Sequence, residues 1–208
     1  MQSVIQEFHK IYYGANARTW KDTFWRGIPV LKCPLDLWIY QEILYEVRPD
    51  FIVESGTKHG GSAYYLASIC DLLGHGEVLT IDIEPQPNPP AHARITYLTG
   101  LSVDPDIFAR ATAAIPEGAA VLVVLDSDHS QAHVLHELKV WHSLVSVGSY
   151  LIVEDTNISG HPVADHRGPG PWEAIAEWLP EHPWFERDIG REKFFLTFNP
   201  GGYLRRVS

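Results

Sequence analysis

The stretch Glu54-Ser55-Gly56-Thr57-Lys58-His59-Gly60-Gly61-Ser62 decides the fold of this chain. It follows the short apolar run at 51–53 and precedes apolar residues at helical spacing over 62–73, so it joins a buried strand to a helix. Glycines allow the backbone of such a turn to approach a ligand closely, and the first turn of the helix offers unpaired N–H groups. The stretch therefore predicts a strand–turn–helix unit that binds a small polar ligand at the turn.

Strands and helices continue to alternate toward the C terminus. Apolar runs predict further strands at 77–83, 95–98, 120–125 and 150–153, and helical spacing predicts helices at 36–47, about 106–114, 131–144 and 172–179. We expect a closing hairpin from 184–188 and 193–198. Short buried strands that alternate with helices are typical of a parallel sheet with right-handed crossovers. The pattern predicts one α/β domain over 1–208, with an N-terminal segment (1–50) covering the site and a lid loop at 156–171, rich in Gly and Pro.

The composition argues against several classes of partner. The formal charge of −10 is spread along the chain, which disfavours a nucleic acid partner because phosphate binding needs clustered Lys and Arg. Cys33 and Cys70 form no disulfide framework, so we expect a reducing compartment, the cytoplasm. The N terminus lacks a signal-peptide pattern, and no apolar run approaches the roughly 18 residues of a membrane span. Aromatic residues in the N-terminal segment indicate an interface between copies in a homo-oligomer.

The spacing within the glycine turn limits the ligand. Three residues separate Gly56 from Gly60, so the dinucleotide fingerprint is absent, and no phosphate-loop ending follows. The Glu54 carboxylate repels a pyrophosphate but suits a cationic amino group. The pattern E-x-G-x-x-x-G resembles the first motif of class I S-adenosylmethionine-dependent methyltransferases. It predicts cofactor contacts from the turn, with the alternative that Ser62 is only a helix N-cap; the candidates are Glu54, Gly56, Thr57, His59, Gly60, Gly61 and Ser62.

Two other strand ends add candidates for the same ligand. Asp82 ends the second strand beside the glycine turn, where an acid accepts hydrogen bonds from both ribose hydroxyls. An isolated Asp there would be read as the start of a polar loop, but its position favours the ribose. Gly100 and Ser102 follow the third strand and are candidates for the adenine end, or equally for an ordinary helix-capping loop.

Acidic residues cluster at the ends of the last two parallel strands. Asp126 and Asp128 follow the run at 120–125, and Glu154 and Asp155 follow the run at 150–153. Neighbouring parallel strands bring such residues to one crevice, and carboxylates held together need protons or a cation. Oxygen ligands suit Mg²⁺, so the cluster predicts a magnesium site; the alternative is that Asp128 and Asp155 are helix caps. Asp126 is also a candidate cofactor contact.

A histidine follows the first pair of acids. His129 lies in the same crevice, and a neutral imidazole there can take the proton of a metal-bound hydroxyl. With 11 histidines in the chain, the choice of base stays open, and His133 and His136 are interpreted as helix surface. Lys32 and His161 are candidate substrate contacts, with plain loop residues as an equal alternative.

In this order the motifs resemble the cephalosporin hydroxylase family, which also takes in rhamnosyl O-methyltransferases. The resemblance runs from about residue 23 to residue 204 and includes Phe24-Trp-Arg-Gly-Ile-Pro-Val-Leu-Lys-Cys-Pro34 and Glu192-Lys-Phe-Phe-Leu-Thr-Phe-Asn-Pro200. It implies a Rossmann-like class I methyltransferase fold with helices on both faces of a seven-stranded, mostly parallel sheet whose last strand is antiparallel. It also implies S-adenosylmethionine and Mg²⁺, in a layout similar to that of catechol O-methyltransferases.

The catechol-type pattern of a metal-binding Asp and a catalytic Lys three positions later falls on Asp126 and His129. The chain departs from that pattern because His replaces Lys; a histidine needs less pKa depression to be neutral at pH 7. The second and third ligands, Asp and Asn, fall on Glu154 and Asp155. A one-residue offset in the hydroxylase-type pattern leaves Asp126 and Asp128 as alternatives for the first ligand, with Asp126 favoured.

The resemblance and the residues together predict a magnesium-dependent O-methyltransferase. Its substrate would be the hydroxyl of a small molecule, a sugar or a phenol of secondary metabolism. A hydroxylase, or a component of one, is the alternative from another class, although no clear 2-His-1-carboxylate trio for iron is present. The third hypothesis is a non-catalytic partner that keeps the cofactor fold.

Overall fold

The computed structural model describes residues 1–208 and contains a two-stranded and a seven-stranded sheet. The strands are β1 (Phe24–Trp25), β2 (Ile28–Pro29), β3 (Phe51–Ser55), β4 (Glu77–Asp82), β5 (Ile95–Thr99), β6 (Val121–Leu125), β7 (Tyr150–Val153), β8 (Phe185–Arg187) and β9 (Tyr203–Arg206). The helices are α1 (Gln2–Gly14), α2 (Pro34–Val47), α3 (Gly61–Leu73), α4 (Pro105–Ala113), α5 (Gln131–Trp141) and α6 (Pro171–Trp178). None of them is long and apolar enough to span a bilayer.

The large sheet has the order β5-β4-β3-β6-β7-β9-β8. Neighbours from β5 to β7 pair in parallel, whereas β9 is antiparallel to both β7 and β8. The expected α/β fold with a mostly parallel, seven-stranded sheet and an antiparallel last strand is confirmed. Because β3, β4, β6 and β7 run in the same direction, the residues that follow them meet at one edge of the sheet.

The sheet is covered on both faces, as its nearly continuous apolar strands require. In β6, Val121, Val123 and Leu125 face a core shared with α4, α5 and α6, while Leu122 and Val124 face a core shared with α2 and α3. Burying each such side chain stabilises the fold by about 1.5–3 kcal/mol. The two cores hold the polar strand ends in fixed positions.

One predicted strand is wrong. Residues 193–198 form turns and loop, and the last strand is β9. The loop is held by side chains from elsewhere instead of a sheet partner: the backbone N–H of Phe198 donates to Asp36 Oδ2 at 2.8 Å, and Asn199 Oδ1 accepts from the backbone of Asp155 at 3.1 Å. Leu196 and Phe198 fill a small third core, and the strand begins only after the turn at Gly201.

Candidate functional site

A cavity of about 630 Å³ opens at the carboxyl edge of the parallel strands. This volume is within the range of small-molecule sites. The cavity is lined by the glycine turn, the ends of β4, β5, β6 and β7, and parts of the N-terminal segment and the loop before α6. Side chains predicted from four separate strand ends therefore share one cavity, whose lining also includes Tyr13, Trp20 and Pro29 to Leu31 of the N-terminal segment.

Two glycines in the turn allow three parts of the chain to meet. Gly56 has φ +90°, and a Cβ there would lie 1.8 Å from the backbone oxygen of Asp126. A Cβ on Gly61 would lie 2.0 Å from the backbone oxygen of Pro29. A side chain at position 56 would therefore separate β3 from the acidic end of β6. One at position 61 would separate α3 from the hairpin formed by β1 and β2.

The carboxylate of Glu54 lies behind the turn. It is fully buried, accepts hydrogen bonds from the hydroxyls of Ser62 and Thr80, and does not line the cavity. Thr80 also contacts the hydroxyl of Thr57 at 2.8 Å. Ser62 lines the cavity and is not the cap of α3, because that helix begins at Gly61 with Gly60 as its cap. Glu54 thus braces the turn, and the residues that face the cavity are Thr57, Lys58, His59, Gly61 and Ser62 with Gly56.

The next strand ends line the other half of the cavity. Asp82 accepts a hydrogen bond from the backbone of Lys58 at 2.8 Å, which fixes its carboxylate beside the glycine turn. Gly100 and Ser102 also line the cavity. The cap of α4 is Asp104, whose carboxylate accepts from the backbone N–H at position 106, so neither Gly100 nor Ser102 is needed for capping.

Asp126, His129 and Asp155 converge at the opposite half. Their potential ligand atoms all lie within 4.8 Å of one another. His129 Nε2 lies 3.2 Å from Asp126 Oδ1, and His129 Nδ1 lies 3.4 Å from Asp155 Oδ2. Burial lowers the pKa of His129, but the carboxylates of Asp155 and Asp126 outweigh it and raise that pKa to about 9. Asp155 has a φ of +55°, an uncommon conformation for a residue with a side chain and one that is found at functional sites.

A buried lysine lies under this cluster. Lys32 Nζ is 2.6 Å from Asp126 Oδ2 and 2.5 Å from Glu154 Oε1, and the hydroxyl of Tyr40 donates to the same Glu154 oxygen. Burial raises the pKa of Asp126, but the Lys32 ammonium holds it below its usual range; for the more enclosed Glu154, burial wins and its pKa is raised. Neither Lys32 nor Glu154 lines the cavity. Lys32 is therefore the counter-ion of the acids, in a position where the sequence suggested a substrate contact.

Two other predicted residues lie apart from the cluster. Asp128 is exposed at the rim of the cavity, and its carboxylate accepts from the backbone of Ser130 at 2.7 Å, immediately before α5. His161 lies outside the cavity lining, where it contacts Glu173 at 2.6 Å and stacks on Trp172. The structure therefore brings Asp126, His129 and Asp155 together, with Glu154 joined to them through the buried lysine, and leaves these two outside.

Comparison with known proteins identifies the family. Residues 17–207 match the family model described as Rhamnosyl O-methyltransferase/CmcI. The chain belongs to this family. A rhamnosyl O-methyltransferase of Mycobacterium bovis is 41% identical over 211 residues, which cover 98% of this chain and 85% of the relative. One of Mycobacterium leprae is 40% identical over 210 residues, covering 98% and 91%. The resemblance stated from the motifs is confirmed.

Solved structures agree on the fold of this CmcI-type chain. CmcI with Mg and SAM is 24% identical with a TM-score of 0.69, over 90% of this chain and 78% of the other. An O-methyltransferase from Bacillus cereus in complex with SAH is 16% identical with a TM-score of 0.54, over 88% and 81%. These similarities place the sheet and its helices in the class I methyltransferase fold.

The site of this family member suits a divalent cation. Asp126 and Asp155 offer oxygen ligands, and like charges held this close need positive charge between them. In the protein alone, that charge comes from the His129 ring, which contacts both carboxylates. The glycine turn, the start of α3 and the fixed Asp82 carboxylate likewise fit a nucleoside joined to a charged chain.

Sequence reasoning missed several residues that the structure brings to the site. Tyr40 looks like one more apolar-face residue of α2, and Arg167 is one charge in a loop. His133 was interpreted as helix surface, yet it lines the cavity. No local pattern marks these residues, because their partners lie far away in the sequence.

Proposed function

We propose that this member of the rhamnosyl O-methyltransferase/CmcI family is an S-adenosylmethionine- and magnesium-dependent O-methyltransferase whose acceptor is a hydroxyl of a sugar or a similar small molecule. One observation carries the proposal: the glycine turn contacts the end of β6, so the cofactor turn and the Asp126–His129–Asp155 cluster lie in one cavity. The identity to curated rhamnosyl O-methyltransferases over nearly the whole chain supports a sugar hydroxyl as acceptor.

The cofactor is proposed to lie along the glycine turn. Its methionine part meets the turn and the start of α3, its ribose meets Asp82, and its adenine meets the loop from Gly100 to Ser102. Glu54 acts on this site indirectly, by holding Ser62 and the strand end. Gly60 shapes the turn without lining the cavity.

Magnesium is proposed to bind Asp126 and Asp155, which line the cavity, with Asp126 as the first ligand. Glu154 is proposed as the third ligand: Lys32 and Tyr40 both hold its Oε1, which leaves Oε2 for the cation. Asp128 is disfavoured because its carboxylate is exposed and engaged at the start of α5. When all three carboxylates are ionised, as they would be around a bound cation, Lys32 balances one of them, and the two negative charges that remain match a divalent cation. When bound, the cation orients the acceptor hydroxyl, lowers its pKa and offsets the negative charge around His129.

His129 is proposed as the general base. Without a cation its pKa of about 9 keeps it protonated, whereas a base must be neutral. With a cation bound to the carboxylates, the neutral imidazole would accept the proton of the acceptor hydroxyl, and S-adenosylmethionine would supply the methyl group to that oxygen. S-adenosylhomocysteine and the protonated imidazole remain. Asp126 and Asp155, one at each ring nitrogen, keep the ring in position.

The acceptor is proposed to bind under the N-terminal segment. Tyr13 and Trp20 line this side of the cavity as a stacked pair with ring centroids 5.3 Å apart, and both rings pack on Phe198. A rigid aromatic wall suits the apolar face of a sugar ring, and Arg167 of the loop before α6 adds hydrogen-bond donors opposite. We assign acceptor contacts to these residues and not to Lys32 or His161.

The hydroxylase alternative is less well supported. The cluster offers one histidine and two carboxylates, whereas the iron triad of oxygenases has two histidines and one carboxylate. A non-catalytic partner would keep the cofactor site without turnover, and the assay below distinguishes it.

The test combines binding and turnover. Calorimetry with S-adenosylmethionine, with and without Mg²⁺, is followed by a methyl-transfer assay on rhamnosides and phenols. We expect D126N and D155N each to lower Mg²⁺-dependent methyl transfer by about 100-fold or more, and D128N to stay within about twofold. Full Mg²⁺-dependent activity in D126N would contradict the proposed ligand set; cofactor binding without turnover on any acceptor would favour the non-catalytic alternative.

We also propose that the protein works in a reducing compartment and that it self-associates. Cys33 and Cys70 are both free and buried, in agreement with cytoplasmic location. The aromatic residues that suggested an interface between copies, among them Tyr12, Tyr13 and Trp20, are half-buried on Phe198 of the same chain, so an interface would rest on exposed residues of α1 instead.

A further inference from the structure

The far end of the cavity is formed by a histidine that the proposed reaction does not use. His133 lies in the first turns of α5 and lines the cavity together with Ser102 and Ser127. His136, one turn further along the same helix, is exposed and does not line it. The two histidines were indistinguishable in the sequence, and the structure separates them.

His133 is held by a chain of hydrogen bonds. The hydroxyl of Ser127 donates to Glu137 Oε1 at 2.8 Å, so its oxygen is left to accept a hydrogen bond. His133 Nε2 lies 3.0 Å from that oxygen and 3.2 Å from the hydroxyl of Ser102. Contact with Glu137 raises the pKa of His133, so the ring is neutral at alkaline pH. In that neutral ring the proton belongs on Nε2, which leaves Nδ1 as a hydrogen-bond acceptor that no protein group contacts.

The base of this chain is rigid. Glu137 is completely buried, and its second carboxylate oxygen, Oε2, has no hydrogen-bond partner. A carboxylate is costly to bury and retains its place only with compensating contacts, which here come from Ser127 and, at 3.6 Å, from His133 Nε2. The polar contacts of the histidine are thus all at Nε2, and Nδ1 has none in the protein.

The position of His133 indicates which part of the ligand it meets. It contacts Ser102, in the loop after β5 that we assign to the adenine, at 3.2 Å and Ser127, which follows the end of β6, at 3.0 Å. We propose that His133 recognises the adenine ring of the cofactor, with Nδ1 accepting a hydrogen bond from the exocyclic amino group. This inference rests on the proposed function. Ser102, Ser127 and Glu137 are positioning residues for it.

Calorimetry with two ligands at alkaline pH, where the His133 ring is neutral, tests this role apart from turnover. S-adenosylhomocysteine carries the amino group, and S-inosylhomocysteine carries a carbonyl oxygen in its place. We expect the parent protein and H136A to prefer the adenine ligand by about tenfold or more, and H133A to bind it about tenfold more weakly and to lose most of that preference. H136A is the matched control because it removes an exposed histidine from the same helix.

The ratio between the two ligands separates recognition from damage to the fold. A merely structural loss weakens both ligands equally and leaves the ratio unchanged, which would overturn the role of His133. If H133A is unstable because Glu137 loses a partner, the ratio of affinities for the two ligands is measured instead with H133N, which keeps a polar side chain. Failure of the parent protein to bind S-adenosylhomocysteine would instead refute the proposed cofactor, and so the two proposals fail in different ways.

Discussion

Replacing Lys32 with Met tests whether the buried lysine stabilises the acidic cluster. Met has a similar length but no charge, so K32M leaves Asp126 and Glu154 without their shared ammonium. Lys193 is a matched control, because its Nζ lies 2.5 Å from Glu42 and therefore makes a contact as short as that between Lys32 and Glu154. The two lysines differ in burial: the side chain of Lys32 is 3% exposed and that of Lys193 is 46% exposed.

Burial sets the expected magnitudes. Removing one partner of a buried ion pair leaves an uncompensated charge and costs about 3–5 kcal/mol, whereas an exposed pair contributes about 0–1 kcal/mol. We therefore expect K32M to lower the free energy of unfolding by about 3–5 kcal/mol and K193M by less than about 1 kcal/mol. Replacing Glu154 as well, in K32M/E154Q, removes much of the unpaired charge and should restore part of the loss.

Urea unfolding in the presence of EDTA measures these free energies. Repeating the titration with Mg²⁺ adds a second readout: a divalent cation should stabilise K32M more than the parent protein, because it replaces the missing positive charge. A K32M protein as stable as K193M in EDTA would refute the idea that the buried lysine compensates the acids. Equal stabilisation of K32M and the parent by Mg²⁺ would refute the link to the metal site.

Two further substitutions test the turn and the N-terminal helix. G56A should cost about 3 kcal/mol or more in the free energy of unfolding and weaken S-adenosylhomocysteine binding, because its Cβ meets a backbone oxygen at 1.8 Å; G118A, at φ +82° with no atom within 4 Å, should cost only about 1 kcal/mol, and equal costs would contradict the close approach. Burial lowers the pKa of His9 to about 4 from 6.5, so its contribution to stability is present above pH 6.5 and is lost as the pH falls toward 4. The parent should therefore lose about 2 kcal/mol more than H9Q between pH 7 and pH 5, with H136Q behaving as the parent does; identical pH profiles of urea midpoints for parent and H9Q would refute it.

Local patterns were sufficient for the fold and for half of the site. The apolar runs, the glycine spacing and the acids after β6 and β7 are contiguous in the chain, and each predicts its own element without knowledge of the rest. The failure at 193–198 has the opposite cause: Leu196 and Phe198 are buried, but against the start of α2 and the N-terminal aromatics in place of a neighbouring strand. The sequence indicated that apolar residues of this segment are buried, but it did not indicate which residues they pack against.

The sequence by itself determined that a glycine turn follows β3 and that acidic residues end β6 and β7, because strand, turn and helix are each encoded by neighbouring residues. Only the tertiary structure decided what those residues do. Lys32 meets Asp126 and Glu154 across 94 and 122 residues of chain, and Glu54 turns out to brace the turn it precedes. Which of two nearby residues enters the cavity depends on the direction its side chain takes from a packed helix or strand, and that direction is fixed by the cores on either side of the sheet.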